Sequence, residues 1–268
     1  MVENDLFAGK EMSDLPLIIG HRGASFYAPE NTLAAFQMAI DVSTDGVEFD
    51  VQLAKDGVPV VIHDATLERT ASRPERVADL TSKQLARVDI GSWFNKKFPK
   101  KSKPEFASET VPTLTQVLEL LKDTKGLIYI ELKCGDKDYE PLAKAVCDVV
   151  RGSHLLPQII VKSFKLAAIP VVRFHLREVQ TAALFEPTIM DFLRRRNHIL
   201  VIAHEFGAQQ ISLHYSLVTR KLLALATESN MPVTIWTVDE PKWLKRCARL
   251  GIGALITNDP AKLITARI

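Results

Sequence analysis

The chain has 268 residues, of which 47% are hydrophobic and 25% are charged, and this balance excludes a disordered chain or a fibrous repeat. Its formal net charge is +2 and its isoelectric point is near 8.4. Because nucleic-acid binders usually carry a much stronger basic excess, nucleic acid is not expected as the main partner.

The cysteines and the first residues indicate the cellular compartment. Cys134, Cys147 and Cys247 are widely spaced and never form a CxxC pair, which favours neither a disulfide framework nor a zinc site. Residues 1–15 contain no apolar block of signal-peptide length, and nowhere do about 18 apolar residues run together. We therefore expect a cytoplasmic protein without stable membrane insertion.

Short apolar runs rich in β-forming residues alternate with helical segments along almost the whole chain, which is typical of a parallel sheet with helical crossovers. Nine runs are predicted strands: Leu17–Gly20, Gly46–Leu53, Val58–Ile62, Leu127–Leu132, Ile159–Ser163, Val179–Leu184, Gln209–Leu213, Val233–Thr237 and Ala254–Thr257.

The third run is predicted to be an antiparallel partner of the second. Only Ala54-Lys55-Asp56-Gly57 separates them, whereas a parallel crossover needs about a dozen residues, and Asp-Gly favours a tight turn. Counting back from this turn pairs Ile62 with Asp50 and His63 with Phe49. Eight parallel strands remain, so the predicted fold is an α/β TIM (β/α)8 barrel with a hairpin strand after strand 2.

Residues 65–110 interrupt the alternation. They contain Pro74, Gly91, Pro99 and Pro104 and little helical periodicity after Asp89. We expect a single domain over residues 1–268, as a monomer or homodimer, with residues 65–110 as a small inserted region over the barrel mouth.

The first strand ends in Gly20-His21-Arg22-Gly23, at the end of the barrel where TIM-barrel active sites lie. The glycines permit close backbone approach, and the planar guanidinium of Arg22 can hold two phosphate oxygens at once. These residues predict a phosphate site, although a lone histidine such as His21 is more often structural.

A metal site is predicted from three acidic residues. Glu48 and Asp50 stand two residues apart in an apolar strand, so both project into the barrel, and buried neighbouring carboxylates resist ionisation unless a cation lies between them. Glu131 ends another strand at the same level. An all-oxygen set favours Mg²⁺ or Ca²⁺, so we predict one such divalent cation; the alternative is a lysine or arginine as the ion-pair partner.

Three further residues are candidates at the same end of the barrel. The hairpin returns His63 to the carboxylates, and two histidines with near-neutral intrinsic pKa values can divide the proton transfers of a displacement at phosphorus. Lys133, on the same face as Glu131, can add positive charge near a phosphate oxygen or form a salt bridge at the mouth. Trp236 can form a wall for the alcohol group of a substrate, or it can be a core aromatic.

Several motifs occur in order along nearly the whole chain. They are HRGA at 21–24, PENT at 29–32, GVEFDVQLAKDGVPVVIHD at 46–64, TLERT at 66–70, VPTLTQVLELL at 111–121, IELK at 130–133, SF at 163–164 and WTV at 236–238. In this order they resemble the glycerophosphodiester phosphodiesterases of the phospholipase C-like phosphodiesterase superfamily.

The resemblance implies a TIM barrel with an inserted region and assigns roles to the candidate residues. It implies His21 and His63 as the acid/base pair, Glu48, Asp50 and Glu131 as metal ligands, Arg22 as a phosphate contact, and Lys133 and Trp236 as further substrate contacts. Glu30 and Asn31 of the PENT motif are implied as residues that support the site. From their position in a loop before a helix, Glu30 can orient a neighbour and Asn31 can cap the helix.

Two positions depart from the commonest family pattern. Asp239 follows Trp-Thr-Val where Asn is usual, and Asn258 follows Thr257 where Asp is usual. Residues 186–207 contain none of these motifs. Because these differences touch the later strand loops, they leave the identity of the alcohol open.

We therefore predict metal-dependent hydrolysis of a small-molecule glycerophosphodiester to sn-glycerol 3-phosphate and an alcohol. The resemblance further implies attack by a neighbouring glycerol hydroxyl, which gives a cyclic phosphate that water then opens. A lysophospholipase D acting on lipid substrates is the nearest alternative. A barrel that binds glycerophosphodiesters without catalysis is an alternative of another class.

Overall fold

Strands and helices alternate through residues 15–187 and 198–268, which a computed structural model describes. The strands in these ranges are β1 (Leu17–His21), β2 (Gly46–Leu53), β3 (Pro59–Val61), β4 (Leu127–Leu132), β5 (Ile159–Ser163), β6 (Gln180–Phe185), β7 (Gln210–His214), β8 (Val233–Trp236) and β9 (Ala254–Thr257). The α-helices in these ranges are α1 (Leu33–Asp41), α2 (Glu68–Ala71), α3 (Ser82–Leu85), α4 (Ser92–Lys97), α5 (Leu114–Leu120), α6 (Tyr139–Arg151), α7 (Ala168–His175), α8 (Ile199–Glu205), α9 (Arg220–Glu228), α10 (Lys242–Leu250) and α11 (Pro260–Arg267).

Eight parallel strands close into a barrel. The order β1-β2-β4-β5-β6-β7-β8-β9 returns to β1 through the β1–β9 pairing, and β3 runs antiparallel to β2 outside this ring. Val51 lies opposite Val61, and the Ile62 N–H donates to the Asp50 carbonyl oxygen at 3.0 Å. The predicted fold class and hairpin register are therefore confirmed.

Strand β2 divides its pairing between two neighbours on one edge. Its first residues pair with β1, where His21 lies opposite Glu48, and its last residues pair with β3. Strand β1 ends at His21, so the chain turns away from the barrel wall where β3 takes over the edge of β2. This arrangement leaves His21 and the residues after it free to face the mouth.

The barrel is packed inside and outside with apolar side chains. The interior cluster includes Ile19, Tyr129, Ile160, Ala182 and Ile256, so the barrel is filled rather than hollow. Helix α6 turns a buried face made of Leu142, Ala143, Val146, Cys147 and Val150 toward the sheet, with the three- and four-residue spacing of an amphipathic helix.

Local sequence explains the connection from β1 to α1. Gly23 has a φ of 82°, and a Cβ atom there would lie 2.6 Å from backbone atoms of Ala35, so only glycine fits. The N-cap of α1 is Thr32, whose side chain accepts from the Ala35 N–H. The expectation that Asn31 caps this helix was therefore wrong.

Residues 65–110 contain three short helices, α2 to α4, and apolar clusters of their own. Leu67, Val77 and Leu85 pack with Val60 of the hairpin. After Asp89, where the sequence shows little helical periodicity, the structure has the short helix α4. The Asp89 carboxylate accepts from the Gly91 and Ser92 N–H groups at 2.9 Å and so supports the start of α4, whose six residues are too few for a periodic pattern to be evident.

The expectation of one domain with residues 65–110 as an insertion stays a prediction. Among the helices that the structure describes, none has both the length and the apolar character to cross a membrane.

Candidate active site

Three acidic side chains converge at the carboxyl ends of neighbouring strands. Glu48 and Asp50 lie on β2, and Glu131 lies on β4 directly opposite Asp50 in the register. All three are buried. One oxygen atom from each lies within 4.8 Å of those of the other two, as the alternation along each strand predicts.

Three basic side chains surround these acids. Lys162 Nζ lies 2.9 Å from Glu48 Oε1, Lys133 Nζ lies 2.5 Å from Glu131 Oε1, and Arg22 Nε lies 3.0 Å from Asp50 Oδ2. The acids therefore do form ion pairs with lysine and arginine in this structure, which was the alternative to a bound cation. Three formal positive charges face three negative ones, so charge balance alone does not require a metal.

Lys162 is a site residue that the sequence analysis missed. It lies on β5 next to Glu131 of β4, and its side chain is only 2% exposed. The available signal was a lysine inside the apolar run Ile159–Ser163, at a position that turns it into the barrel. A buried lysine needs an anionic partner, and that requirement points to the acids of the neighbouring strands.

The pKa values of the two β2 acids are lowered. Burial alone would raise the pKa of Asp50, but the nearby charges of Arg22, Lys133 and His63 outweigh it. Burial likewise opposes ionisation of Glu48, and Lys162 outweighs it. Both side chains are therefore carboxylates at neutral pH.

Glu131 behaves differently from its two neighbours. Burial raises its pKa to about 7, and the negative charge of Asp50 adds to this effect. Three carboxylates at this distance thus resist full ionisation in the protein alone.

The donor set fits a hard divalent cation. Carboxylate oxygens without sulfur or imidazole donors suit Mg²⁺ or Ca²⁺. Asp50 Oδ1 and Glu131 Oε1 are buried, and Lys133 Nζ, at 3.3 and 2.5 Å, is the charged group that faces them, so a cation there would share these oxygens with the lysine. A cation among Glu48, Asp50 and Glu131 would also remove the resistance of Glu131 to ionisation.

His21 lies at the edge of this cluster. Its Nε2 is 3.9 Å from Glu48 Oε2, and its Nδ1 is 2.7 Å from Asn258 Oδ1. Burial lowers its pKa, more strongly than the charge of Glu48 raises it. The neutral imidazole that results can accept a proton near neutral pH.

His63 follows β3 and is held by its neighbours. Its Nδ1 lies 2.6 Å from Asp64 Oδ1, and Arg69 Nε donates to Asp64 Oδ2 at 2.5 Å. The buried Gln52 on β2 donates to the carbonyl oxygens of Ile62, His63 and Asp64 at 3.1, 3.0 and 2.7 Å. These hydrogen bonds thus fix the backbone of His63, and a positive charge on its imidazole would help to lower the pKa of Asp50.

The PENT loop supports the arginine after β1. Glu30 accepts from Arg22 Nη1 at 2.7 Å and from both terminal nitrogens of Arg69. Asn31 is buried and donates to Asp50 Oδ2 at 2.9 Å. Part of the Arg22 guanidinium is therefore occupied by Glu30 and Asp50, which orient it toward the acids.

Trp236 and Lys133 lie at the mouth. Trp236 packs between the rings of Phe164 and His214, with centroids 5.6 and 5.3 Å away, and its indole N–H has no acceptor among the described residues. Lys133 Nζ also lies 3.3 Å from Asp50 Oδ1. In this structure Lys133 therefore forms the salt bridge that was one of its two predicted roles. Asp64, Arg69 and Asn258 were not predicted, although Asp64 and Arg69 belong to the quoted motifs.

Comparison with known proteins shows which family and which relatives the chain is similar to. The model of the glycerophosphoryl diester phosphodiesterase family matches residues 21–262. The chain is 31% identical over 248 residues to a glycerophosphodiester phosphodiesterase of Caldanaerobacter subterraneus subsp. tengcongensis, covering 92% of this chain and 96% of the relative. It is 29% identical over 252 residues to a glycerophosphodiester phosphodiesterase of Bacillus subtilis, covering 92% and 85% of the two chains.

A solved structure shares the fold. An Oleispira antarctica phosphodiesterase, in complex with the product sn-glycerol-3-phosphate, superposes with a TM-score of 0.81 at 24% identity, covering 94% of this chain and 96% of that one.

Proposed function

The chain belongs to the glycerophosphoryl diester phosphodiesterase family, and from this premise we propose how its residues carry out the reaction. It is a phosphoric diester hydrolase that acts on glycerophosphodiesters. The observation that carries the proposed mechanism is the convergence of three acids with His21 at one end of the barrel, beside the hairpin whose last hydrogen bonds hold His63. The products proposed are sn-glycerol 3-phosphate and a free alcohol.

Glu48, Asp50 and Glu131 are proposed to hold one Mg²⁺ or Ca²⁺. When bound, the cation supplies positive charge to a phosphate oxygen and so stabilises charge that develops in the transition state. The closeness of the three carboxylates and the raised pKa of Glu131 beside Asp50 support this assignment.

His21 and His63 are proposed to move the protons. One imidazole takes the proton of the attacking glycerol hydroxyl while the P–O bond to the departing alcohol breaks, and the other gives its proton to the departing alkoxide. A cyclic phosphate and the free alcohol result. The two imidazoles then exchange roles as water adds to phosphorus, the ring opens and sn-glycerol 3-phosphate leaves.

Arg22 and Lys133 are proposed to add positive charge around the phosphate, and Trp236 to form a wall for the alcohol. Arg22 is oriented by Glu30, which supports a fixed direction for its guanidinium. Lys133 Nζ lies near both Asp50 and Glu131, so a phosphate there would meet an ammonium already ordered by the acids.

The setting of the reaction is also a proposal. The substrate is a small soluble phosphodiester rather than nucleic acid, the location is cytoplasmic, and the chain acts as a monomer or homodimer. The net charge of +2 and the absence of CxxC pairs in the sequence support the first two statements.

Single substitutions of the histidines test the proton transfers. We expect His21→Ala and His63→Ala each to lower kcat by about 10² to 10⁴, since general acid and base catalysis contribute factors of that size. Cation affinity, measured by titration calorimetry, should stay close to that of the unaltered protein. His204→Ala, at an exposed histidine of α8, is the matched control, and full turnover in either site variant would refute the assignment.

A coupled assay for sn-glycerol 3-phosphate tests the substrate and the ion together. The protein is treated with EDTA and then given Mg²⁺ or Ca²⁺ with a panel of glycerophosphodiesters and lysophosphatidylcholine. We expect activity to disappear with chelation, to return with one cation, and to favour the soluble diesters. Preference for lysophosphatidylcholine would instead support the lysophospholipase D alternative.

A further inference from the structure

The loops after β8 and β9 carry two polar side chains that are bonded to each other and to His21. Asn258 Nδ2 donates to Asp239 Oδ2 at 3.0 Å, and Asn258 Oδ1 lies 2.7 Å from His21 Nδ1. The two side chains are therefore in contact, and together they reach a residue with a proposed catalytic role.

We propose that Asp239 and Asn258 form a positioning pair that holds His21 in the tautomer with its proton on Nδ1 and its lone pair on Nε2. An amide oxygen only accepts hydrogen bonds, so the ring nitrogen that faces Asn258 Oδ1 must donate. Nε2, which lies 3.9 Å from Glu48 Oε2, is then the nitrogen able to accept a proton from a substrate. The inference rests on the proposed function for its kinetic consequence, but not for the tautomer itself.

The orientation of the Asn258 amide decides the tautomer, and Asp239 fixes that orientation. If the amide were turned over, its oxygen would face the Asp239 carboxylate, which also only accepts. Its NH₂ group would then face His21 Nδ1 and force the proton onto Nε2. The Ser25 hydroxyl donates to Asn258 Oδ1 at 3.3 Å; because a hydroxyl can donate or accept, Asp239 alone sets the orientation.

Asp239 itself is held by donors from the end of β9. Its Oδ1 accepts from the Asn258 N–H at 2.8 Å and from the Thr257 hydroxyl at 2.9 Å. The direction of the Thr257 hydroxyl is set in turn, because its oxygen accepts from the Asp259 N–H at 3.1 Å. A chain of directed hydrogen bonds thus runs from β9 through Asp239 and Asn258 to His21.

This geometry predicts that the pair can be exchanged as a unit but not altered one residue at a time. Asn258→Asp alone places two carboxylates in contact, and Asp239→Asn alone removes the acceptor that keeps the amide of Asn258 in one orientation. In the double variant Asp239→Asn/Asn258→Asp, the amide oxygen at 239 can accept from Thr257 and from the N–H of residue 258. The amide nitrogen at 239 can then donate to the carboxylate at 258, which accepts from His21.

The test combines imidazole NMR with kinetics on the purified protein in Mg²⁺. Long-range proton–nitrogen correlation identifies which ring nitrogen of His21 carries the proton, with His21→Gln used to assign the signal. We expect Nδ1 to be protonated in the unaltered protein and in the double variant, and the proton to lie almost wholly on Nε2 in Asp239→Asn. His214, whose Nδ1 faces the Ser216 hydroxyl at 2.7 Å, should be unchanged throughout and serves as the internal control.

In kinetics we expect each single variant to lower kcat by about 10² or more with little change in KM, as the loss of a correctly oriented base does. The double variant should recover kcat to within about tenfold of the unaltered protein. A proton on Nε2 of His21 in the unaltered protein, or a double variant no more active than the weaker single one, would overturn the inference. If instead the NMR result holds and no phosphodiester is hydrolysed by the unaltered protein, the proposed function fails and the tautomer assignment stands.

Discussion

Lys162 is the most deeply buried of the three basic side chains around the acids. Its side chain is 2% exposed, and its ammonium lies 2.9 Å from Glu48 and 3.8 Å from Glu131. Both charges of such a pair lose their hydration, so removing one partner leaves the other uncompensated in a low-dielectric setting. Lys162 therefore contributes to stability through Glu48.

We expect Lys162→Met to destabilise the protein by about 3 to 5 kcal/mol, the range for breaking a buried pair. The measurement is urea denaturation in EDTA, so that no cation can neutralise Glu48 in place of the lysine. Lys165→Met is the matched control. Its partner Asp136 is 86% exposed, and surface pairs contribute only about 0 to 1 kcal/mol. Equal losses in the two variants would contradict this account of Lys162.

Glu30 links two arginines and should make stability depend on pH. Burial alone would raise its pKa, but the hydrogen bond from Arg69 and the charge of Arg22 lower it below the unfolded value of 4.5. A lowered folded pKa means that the stabilisation is fully present above pH 4.5 and is lost as pH falls through the folded pKa.

We expect Glu30→Gln to lower the free energy of unfolding by about 1 to 3 kcal/mol at pH 7, the range for hydrogen bonds to charged groups. Below about pH 4.5 the difference between the variant and the unaltered protein should shrink. Unfolding curves measured from pH 7 to pH 3 check this. Glu178→Gln, at an exposed glutamate that has no ion pair among the described residues, should leave the pH dependence unchanged, and a Glu30→Gln curve parallel to that of the unaltered protein would refute the linkage.

The sequence identified those site residues whose positions follow from the pattern of a single strand. Glu48 and Asp50 could be paired from a spacing of two, and Glu131 from its place at a strand end. It did not reach Lys162, because its contact with Glu48 depends on the register of three strands across the barrel. The Asp239–Asn258–His21 contacts were out of reach for the same reason, since they join β1 to loops more than 200 residues away.

Helices α1 and α9 each begin with a threonine N-cap, but the residues before the two caps differ. Thr32 accepts from the Ala35 N–H at the start of α1, directly after the loop whose Asn31 bonds to Asp50. Thr219 accepts from the Leu222 N–H at the start of α9. The two caps have the same geometry, but only the first adjoins a residue bonded to the acids.

We expect Thr32→Val and Thr219→Val each to reduce stability by about 1 kcal/mol, because each loses an N-cap hydrogen bond. Only Thr32→Val should also lower kcat, since the Thr32 hydroxyl donates to the Pro29 carbonyl oxygen at 2.6 Å and so holds the loop that carries Asn31. Thermal unfolding and the coupled assay measure the two effects. Equal activity in both variants would show that the cap of α1 does not hold the loop in place.

The hairpin is the element that the sequence defines best. The short separation and Asp56-Gly57 were enough to give both the direction of β3 and its register, which the structure confirms. By contrast, α4 could not be predicted because its start depends on Asp89 and its packing on Phe94 and Phe106. Short helices are specified by such contacts rather than by periodicity.

For the whole molecule, the open question is whether residues 65–110 unfold with the barrel. Phe94 and Phe106 pack against Ala28 and Ala35 near α1, and other apolar residues of the segment pack on the hairpin. This shared apolar surface predicts one cooperative unit.

Tryptophan fluorescence can test this prediction, because Trp93 lies in the segment while Trp236 and Trp243 lie in the barrel. In the variant Trp236→Phe/Trp243→Phe, emission reports on residues around Trp93, and in Trp93→Phe it reports on the barrel. We expect the urea midpoint of each variant to equal the midpoint seen by its own far-ultraviolet circular dichroism. A lower midpoint for the Trp93 signal would show that the segment opens on its own.

The number and direction of the strands were predictable because parallel strands need crossovers and only one connection was too short. Closure of the ring, through β1 and β9, followed from the strand count. The positions of the basic side chains inside the barrel mouth could not be predicted in this way. The alternation of apolar residues shows which face of a strand a side chain lies on, but not which residues of other strands it contacts.

One edge of β2 pairs first with β1 and then with β3, so insertions and deletions are tolerated at some places in the molecule and not at others. Since β3 occupies the ladder positions that β1 leaves, a slip of one residue in the hairpin would turn His63 to the opposite side of the sheet. Extra residues near Pro99–Lys101 would disturb no such ladder, whereas Thr113, just before α5, itself bridges Val60 of β3. Insertions can therefore be tolerated at the outer rim. The hairpin turn at Asp56-Gly57 must keep its length if the His63 imidazole is to face the acids.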